Sequence, residues 1–571
     1  MIDRAFPAAV RSLPASEHGA RRAIRLAASG VLLAVAAAFT SAAKSGPAPQ
    51  RPNIVFVLVD DLRYDAMGFL TPGLKTPNID FLAKNGVYFP NAVVTSALCS
   101  PSRATILTGQ TARNHGVIDN NNSTEKGLVF FPGYLQSAGY QTAFIGKWHM
   151  GDATDAPRPG FDHWVSFRGQ GSYFPTDGLP PEQIAAGRKH MLNVDGRAVE
   201  QQGYITDELT DYAMQWLERG RDATKPFFLY LSHKAVHSDA KPPLRYAEQY
   251  ANLEIKLPAS MANTEENNRG KPMWVLNQRN SWHGADFPYH TNQSLSEYVR
   301  EYYRTLSPVD DGLGRILGYL RKNKLENDTL VVFYSDNGFL IGDHGLIDKR
   351  NAYQASVRVP MVAYAPGLLP KGVVNPARVR NLDLAPTFLD VARVAPPAHF
   401  EGKSILPVAT GKAPADTWAE DFVYEYYWEW TFPHTPTTFA IQRGNLKYIQ
   451  YHGVWDIEEL YDLTKDPDEM NNLIDEPALL TAKMELRHRL HAALANGDGK
   501  HVVPYTERSS SGVVYRDRGG TGAAPFPPKW LKAPNDPNRM NGLFPDSPQK
   551  LEAEASGKPY RPSMTTGSKP Q

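Results

Sequence analysis

Cysteine is almost missing from this chain: of 571 residues only Cys99 is one, which excludes an internal disulfide and any thiolate metal cluster. Charge of one sign is missing too. Lys and Arg number 61 against 60 Asp and Glu, a net of +1 with His neutral, so nothing calls for a nucleic acid, and an anionic ligand must be met by local basic residues. Long apolar runs are absent apart from residues 26–39, which are too short for a comfortable membrane span. No internal repeat is evident. Hydrophobic residues at 42% and charged residues at 21% are ordinary for a globular protein, and the length allows one large domain with a smaller companion.

The apolar run 26–39 follows Arg21, Arg22 and Arg25 and leads to the small residues Ser41, Ala42 and Ala43. Residues 1–43 therefore read as a signal peptide, with a retained N-terminal anchor as the alternative. The paired arginines hint at twin-arginine export, although their flanks fit that pattern poorly. Export places the protein in a bacterial periplasm or outside the cell, where disulfides are permitted but not required.

Beyond a proline-rich stretch at 47–52, a strand opens at Asn53 whose residues 54–59 form a continuous apolar run without alternation, as expected of a strand buried on both faces of a parallel sheet. Thr76 and Pro77 cap a helix that Gly86 ends. Residues 132–137 read as another helix, 141–145 and 227–231 as strands, and 295–323 as a long amphipathic segment that Pro308 breaks or kinks before the strand 330–334. Alternating strands and helices indicate an α/β fold with a mostly parallel sheet over residues 51–420. From 421 to 500 the texture changes. Strands at 438–442 and 446–451 around Gly444-Asn445, a third at 459–463 and a helix at 478–495 predict a small α+β C-terminal domain. Residues 501–571, rich in Gly, Pro and Ser, read as an irregular tail.

The run Cys99-Ser100-Pro101-Ser102-Arg103 continues to Leu107-Thr108-Gly109. Pro101 and Ser102 suit a first helical turn, which places Cys99 at a helix N-terminus with Arg103 one turn away, an address that favours an anion. A free cysteine is otherwise most often a small core hydrophobe. Where the predicted strands end stand Asp60, Asp61, Asp336 and Asn337, a hard-oxygen set suited to Ca²⁺ or Mg²⁺. An Asp-Asp pair by itself is equally a turn or a cap. Lys147 and His149 follow one strand, His233 and His237 another, and Lys349 lies after Gly342-Asp343-His344-Gly345. A single Lys or His at a loop start is ordinarily a solvated polar group.

The run around Cys99 resembles the sulfatase signature Cys-x-Pro-Ser-Arg-x-x-x-Leu-Thr-Gly, every defined position of which is met. The resemblance extends over roughly residues 51–500 and implies an alkaline phosphatase-like fold. It implies that a formylglycine-generating enzyme oxidises Cys99 to Cα-formylglycine, the nucleophile once hydrated. It further implies that Asp60, Asp61, Asp336, Asn337 and residue 99 hold a cation, in this family usually Ca²⁺, with Mg²⁺ less common. Lys147 and Lys349 would neutralise sulfate oxygens, His149 and His237 would move protons, and Arg103 would position residue 99. His237 is preferred to His233 for its spacing from the strand. The stretch from Lys147 through Pro157-Arg158-Pro159-Gly160-Phe161-Asp162 resembles the branch acting on sulfated sugars, glucosamine-6-sulfatases in particular. Trp274, Trp282, Trp428, Trp430 and His434 are then candidate sugar contacts, or equally core aromatics.

The expected protein is an exported sulfatase acting on a sulfated carbohydrate. Two alternatives stand beside it: a phosphonate or phosphate monoester hydrolase of the same superfamily, and an exported glycan-binding protein whose Cys99 stays unmodified.

Overall fold

Every residue of the strand β1 (Asn53–Val59) is buried, and its two faces enter different cores. Ile54, Phe56 and Leu58 point into one apolar cluster and Val55, Val57 and Val59 into the other. That is why the sequence shows no alternation: a strand covered on both sides stabilises through every side chain, about 1.5–3 kcal/mol for each large one. The computed structural model describes residues 51–495 apart from 122–126, 151–153, 287–292, 419–420, 430 and 453–455. The expected signal peptide, the tail at 501–571 and Trp430 thus lie outside the described residues.

Nine further strands join β1: β2 (Val87–Tyr88), β3 (Gln141–Lys147), β4 (His163–Phe167), β5 (Met191–Val194), β6 (Arg197–Glu200), β7 (Phe227–Ser232), β8 (Thr329–Ser335), β9 (Met361–Tyr364) and β10 (Val373–Val374). They pair in the order β10-β2-β9-β8-β1-β7-β3-β4-β5-β6. The central run β8-β1-β7-β3-β4 is parallel throughout, and antiparallel pairs occur toward both edges. All central strands therefore release their carboxyl ends at one edge. One face is covered by the helices Cys99–Thr108, Phe131–Ser137 and Leu384–Val391, the other by Pro77–Asn85, Ile205–Gln215 and Leu295–Lys322.

Two local expectations are corrected. Pro308 does not break the long helix: Leu295–Lys322 is one element with Pro308 buried inside it. Leu306, Val309, Leu313, Ile316, Leu317 and Leu320 all pack into the core, which outweighs the roughly 3 kcal/mol that an internal proline costs. Nor does the Thr76 side chain cap the helix Pro77–Asn85. Its hydroxyl donates to Asp80 (2.8 Å) and accepts from the Gly68 amide (2.7 Å). The free amides of Asn78 and Ile79 are taken by Asp310 of the long helix, 3.1 and 2.8 Å away, so the cap is supplied by tertiary structure.

A second sheet, antiparallel, runs β11 (Asp421–Tyr426), β12 (Thr437–Arg443), β13 (Leu446–His452), β14 (Glu459–Asp462). The strand β11 had no forecast. The helix Leu480–Ala495 lays Leu486, Leu490 and Leu494 on Phe439, Ile441, Tyr448 and Leu460. This sheet grips the loop that follows Lys349. Tyr353 donates to Glu459 (2.8 Å), Lys447 reaches the Ala352 carbonyl and Glu469, and Glu469 accepts the Gln354 amide at 2.6 Å. Among the described residues no helix is long and apolar enough to cross a membrane.

Candidate active site

Four adjacent parallel strands, β8, β1, β7 and β3, end at one place, and each delivers chemistry there. Asp60 and Asp61 follow β1, Asp336 and Asn337 follow β8, Lys147 closes β3 with His149 two residues on, and the loop 233–237 follows β7. Gly146 makes the convergence possible. Its φ is +125°, and a Cβ there would sit 1.8 Å from the Ser232 carbonyl oxygen, so only glycine lets β3 lie this close to β7. From the other side comes the helix Cys99–Thr108, every residue of it buried and its N-terminus at Cys99. Gly109 ends it at φ +64°, with Phe400 filling the space a side chain would need.

Arg103 joins these elements. Its guanidinium meets Asp336 at 2.8–2.9 Å, the Lys147 carbonyl at 2.6 Å and Ser232 at 2.7 Å, and it lies 3.8 Å from Asp60. Its side chain is 2% exposed, and it links the helix of Cys99 both to the strand-end acids Asp60 and Asp336 and to the ends of β3 and β7.

Asp60, Asp61 and Asp336 each place a carboxylate oxygen within 4.8 Å of the others. Burial works against the Asp60 charge, but Lys147, His237, Arg103 and Lys349 hold it well below the usual carboxylate range. Burial and the Asp60 carboxylate push Asp336 up to about 7. Asn337 donates to Asp61 (2.6 Å), while its own Oδ1, buried, has no hydrogen-bond partner. Three crowded carboxylates and one orphaned amide oxygen are an all-oxygen donor set, the kind a hard divalent cation satisfies.

Cys99 Sγ lies 3.4 Å from Asp60 Oδ1 and 2.9 Å from Lys349 Nζ. Lys349 also contacts Asp61, and Lys147 contacts Asp60 and the Gln170 side-chain Oε1. The expectation of an activated anion at residue 99 is not met by the thiol. Burial and the Asp60 charge push it up to about 12, so the unmodified side chain is a protonated, weak nucleophile. Burial opposes the Lys349 charge, yet the carboxylates, Asp61 foremost, hold this lysine well above its ordinary range.

Both histidines of the expected set lie in this field. Burial and the Lys147 ammonium hold His149 well below the imidazole range, and its Nδ1 has no hydrogen-bond partner. His237 Nε2 stands 3.8 Å from Asp61 Oδ2, and one of its ring nitrogens groups with Asp60 and Cys99. Burial and Lys147 lower it as well. His233 is fully buried, neither ring nitrogen is hydrogen-bonded, and burial takes it down to about 3. The structure thus brings His237, and not His233, beside the carboxylates.

The candidate sugar contacts divide. Trp274 is buried against Tyr451, ring centroids 5.7 Å apart, and belongs to the core. Trp282 and His434 are exposed, and Trp428 is half-buried with its indole donating to the Pro433 carbonyl. Trp282 and Trp428 flank a network that sequence reasoning missed. The Ser100 amide donates to Asn120, the Asn120 amide to Glu429, and Arg350 joins Glu429 and Asp348 at 2.8 Å each, its guanidinium 3.5 Å from the Phe432 ring centroid. Gln170 and this network span long sequence distances and carry no local signal; only the adjacency of Arg350 to Lys349 pointed here.

Residues 52–394 match the sulfatase family model, and residues 342–496 match the model described as N-sulphoglucosamine sulphohydrolase, C-terminal. The chain is 32% identical over 500 residues to the N-acetylglucosamine-6-O-sulfatase of Bacteroides thetaiotaomicron, covering 77% of this chain and 86% of that one. It is 29% identical over 496 residues to the human N-acetylglucosamine-6-sulfatase, covering 77% and 84%. Among solved structures, a protein in complex with its substrate D-glucosamine-2-N,6-O-disulfate superposes with a TM-score of 0.70 at 29% identity, covering 78% of this chain and 98% of that one. A phosphonate monoester hydrolase of Agrobacterium radiobacter, at 22% identity, TM-score 0.63 and coverage of 77% and 95%, shares the fold. Matched over more than half its length, with the signature cysteine at the mouth of the strand-end acids, the chain belongs to the sulfatase family and is a sulfuric ester hydrolase.

Proposed function

We propose that this sulfatase removes sulfate from a sulfated sugar, of the glucosamine-6-sulfate kind, with residue 99 in its formylglycine form and a divalent cation, Ca²⁺, at the strand-end acids. The observation that carries the reading is the position of Cys99 Sγ, 3.4 Å from Asp60 and 2.9 Å from Lys349, at the edge of the carboxylate cluster. The relatives named for N-acetylglucosamine 6-sulfate esters, and the neighbour solved with a sulfated glucosamine, support the substrate class. Asp60, Asp61, Asp336 and Asn337 would hold the cation, which supplies positive charge for an anionic ester and lowers the pKa of a hydroxyl beside it. Formylglycine, formed from Cys99 by a maturation enzyme, supplies when hydrated a geminal diol, whose second hydroxyl permits release of sulfate.

The other residues follow from charge and protonation. A sulfate monoester repels nucleophiles, so Lys147 and Lys349 first neutralise its oxygens. His149, held neutral, is suited to remove a proton from residue 99. His237, beside Asp61, gains basicity once a bound anion offsets the lysine charges, and in its protonated form it would give the departing alcohol its proton, while Lys349, which keeps its own, would assist by hydrogen-bonding that oxygen. Arg103 keeps the helix of residue 99 against the strand ends.

Export belongs to the same reading, supported by the arginine-led apolar run at 21–39. The deciding experiment is intact-mass analysis of the Cys99 peptide, alongside turnover of a 6-sulfated glucosamine and of matched aryl sulfate and aryl phosphate esters. An aldehyde at residue 99 with preference for sulfate is expected. A fully active protein with an unmodified thiol, or one preferring the phosphate ester, overturns the proposal.

A further inference from the structure

Five lysines among the described residues are buried: Lys147, Lys234, Lys271, Lys349 and Lys447. Four have an oxygen to meet their charge. Lys147 pairs with Asp60, Lys349 with Asp61 and Lys447 with Glu469, while Lys271 donates to Tyr461 (2.7 Å) and to the Glu469 carbonyl. Lys234 has none among the described residues. It is 5% exposed, and its Nζ rests 4.7 Å from the centroid of the Tyr173 ring. A cation over an aromatic face recovers about 0.5–2 kcal/mol, less than the several kcal/mol that desolvating an ammonium costs.

Lys234 sits among groups of the candidate active site. Lys234 lies in the loop between β7 and His237, and that loop is tied to β1 by three backbone hydrogen bonds: His233 to the Leu58 carbonyl, Val236 to Asp60, and Asp60 to Ala235, at 2.8–2.9 Å. Burial, with the Lys147 charge, lowers Lys234 to about 8 against the carboxylates of Asp60, Asp239 and Asp61, so that all but Asp239 of the charges named here belong to the candidate active site. Tyr173, beneath it, donates to the His237 carbonyl at 2.6 Å. The same short segment carries Gln170, the partner of Lys147. One turn of chain thus supports both lysines and the loop of His237.

We propose that Lys234 is a third lysine of the sulfate site, contacting an oxygen of the ester group that is hydrolysed. The proposal rests on the sulfatase reading above. In the bound state the sulfate supplies the counter-charge that Lys234 lacks, and the Tyr173 ring holds the ammonium in place without neutralising it, as an acidic partner would.

Inorganic sulfate is the probe, used as a competitive inhibitor of aryl sulfate turnover and, separately, as a stabilising ligand in thermal unfolding of the full chain. Lys234→Met should raise the inhibition constant of sulfate and the KM for aryl sulfate about tenfold or more, the loss of ~1.4 kcal/mol of binding. The thermal midpoint without sulfate should stay equal or rise, and Lys234→Arg should keep most of the sulfate affinity. An inhibition constant within twofold of the parent overturns the proposal. So does an unchanged sulfate constant with a raised KM for a disulfated sugar alone, which would assign Lys234 to a second substituent. Should the Met variant fail to fold, Lys234→Gln read by sulfate-induced stabilisation decides the same question. A parent protein that binds sulfate yet turns over no sulfate ester refutes the proposed function while leaving the Lys234 comparison readable by unfolding.

Discussion

His149 and His237 are lowered by the same forces, burial and the Lys147 ammonium, yet their surroundings differ. His237 Nε2 lies 3.8 Å from Asp61, and one of its ring nitrogens groups with Asp60 and Cys99; His149 has a buried Nδ1 without a hydrogen-bond partner. The two roles should therefore separate by leaving group. His237→Ala is expected to cost about 10²–10⁴-fold on sugar sulfates, whose alcohols need a proton, and about tenfold or less on activated aryl sulfates. His149→Ala should slow all substrates alike and show a burst of one alcohol per site before slow turnover. Equal losses for both variants on both ester types, without a burst, would reverse the assignment.

At the scale of elements, the site is an agreement among strand ends enforced by one side chain. Arg103 touches residues that follow or close β8, β3 and β7 from inside the helix of Cys99. Arg103→Ala leaves Asp336 and Asp60 as poorly compensated buried charges, and a loss of about 3–5 kcal/mol in unfolding free energy is expected, together with loss of turnover. Denaturant melts of Arg103→Ala and Arg103→Lys check it, and a stable, active Ala variant would remove Arg103 from the framework. Much of this was legible in advance. Strand β1 shows its double burial in its unbroken apolar run, and Pro101-Ser102 announces a helix that begins at Cys99. What was not legible depends on contacts between distant residues. Pro308 reads as a break or kink until the core behind it is known, Thr76 as a cap until Asp310 takes the role, and Trp274 equally as a sugar contact or a core aromatic until Tyr451 is seen to pack on it. Gln170 and Lys234 have no motif at all.

For the whole molecule, the loop that carries Lys349 is held from both sheets: Lys349 contacts Asp61 at the end of β1, and the residues after it contact the C-terminal part. Tyr353 and Gln354, just beyond Lys349 and Arg350, are held by Glu459 and Glu469 of the C-terminal part, and Lys447 of β13 holds Ala352. A cation bound at Asp60, Asp61 and Asp336 would act on the global equilibrium, because these acids meet only in the folded chain. At a concentration 100 times its dissociation constant it adds about 2.7 kcal/mol of stability. Chelation should lower the thermal midpoint and abolish turnover, re-addition of Ca²⁺ should restore both, and Asp336→Asn should lose that response. Full activity in metal-free protein, verified by elemental analysis, would exclude the ligand set.

The complete burial of Cys99 also sets a clock. With no exposed surface at residue 99, a second protein can reach the thiol only before the pocket closes. Closure waits for a late arrival: Lys349, whose Nζ contacts the Cys99 sulfur, follows it by 250 positions. At a synthesis rate of ~5–20 residues per second, that gap is roughly 12–50 seconds during which the cysteine has been made and its enclosure has not. Any maturation of residue 99 is therefore a race against the chain's own elongation, and slowing the emergence of β8 would lengthen the window.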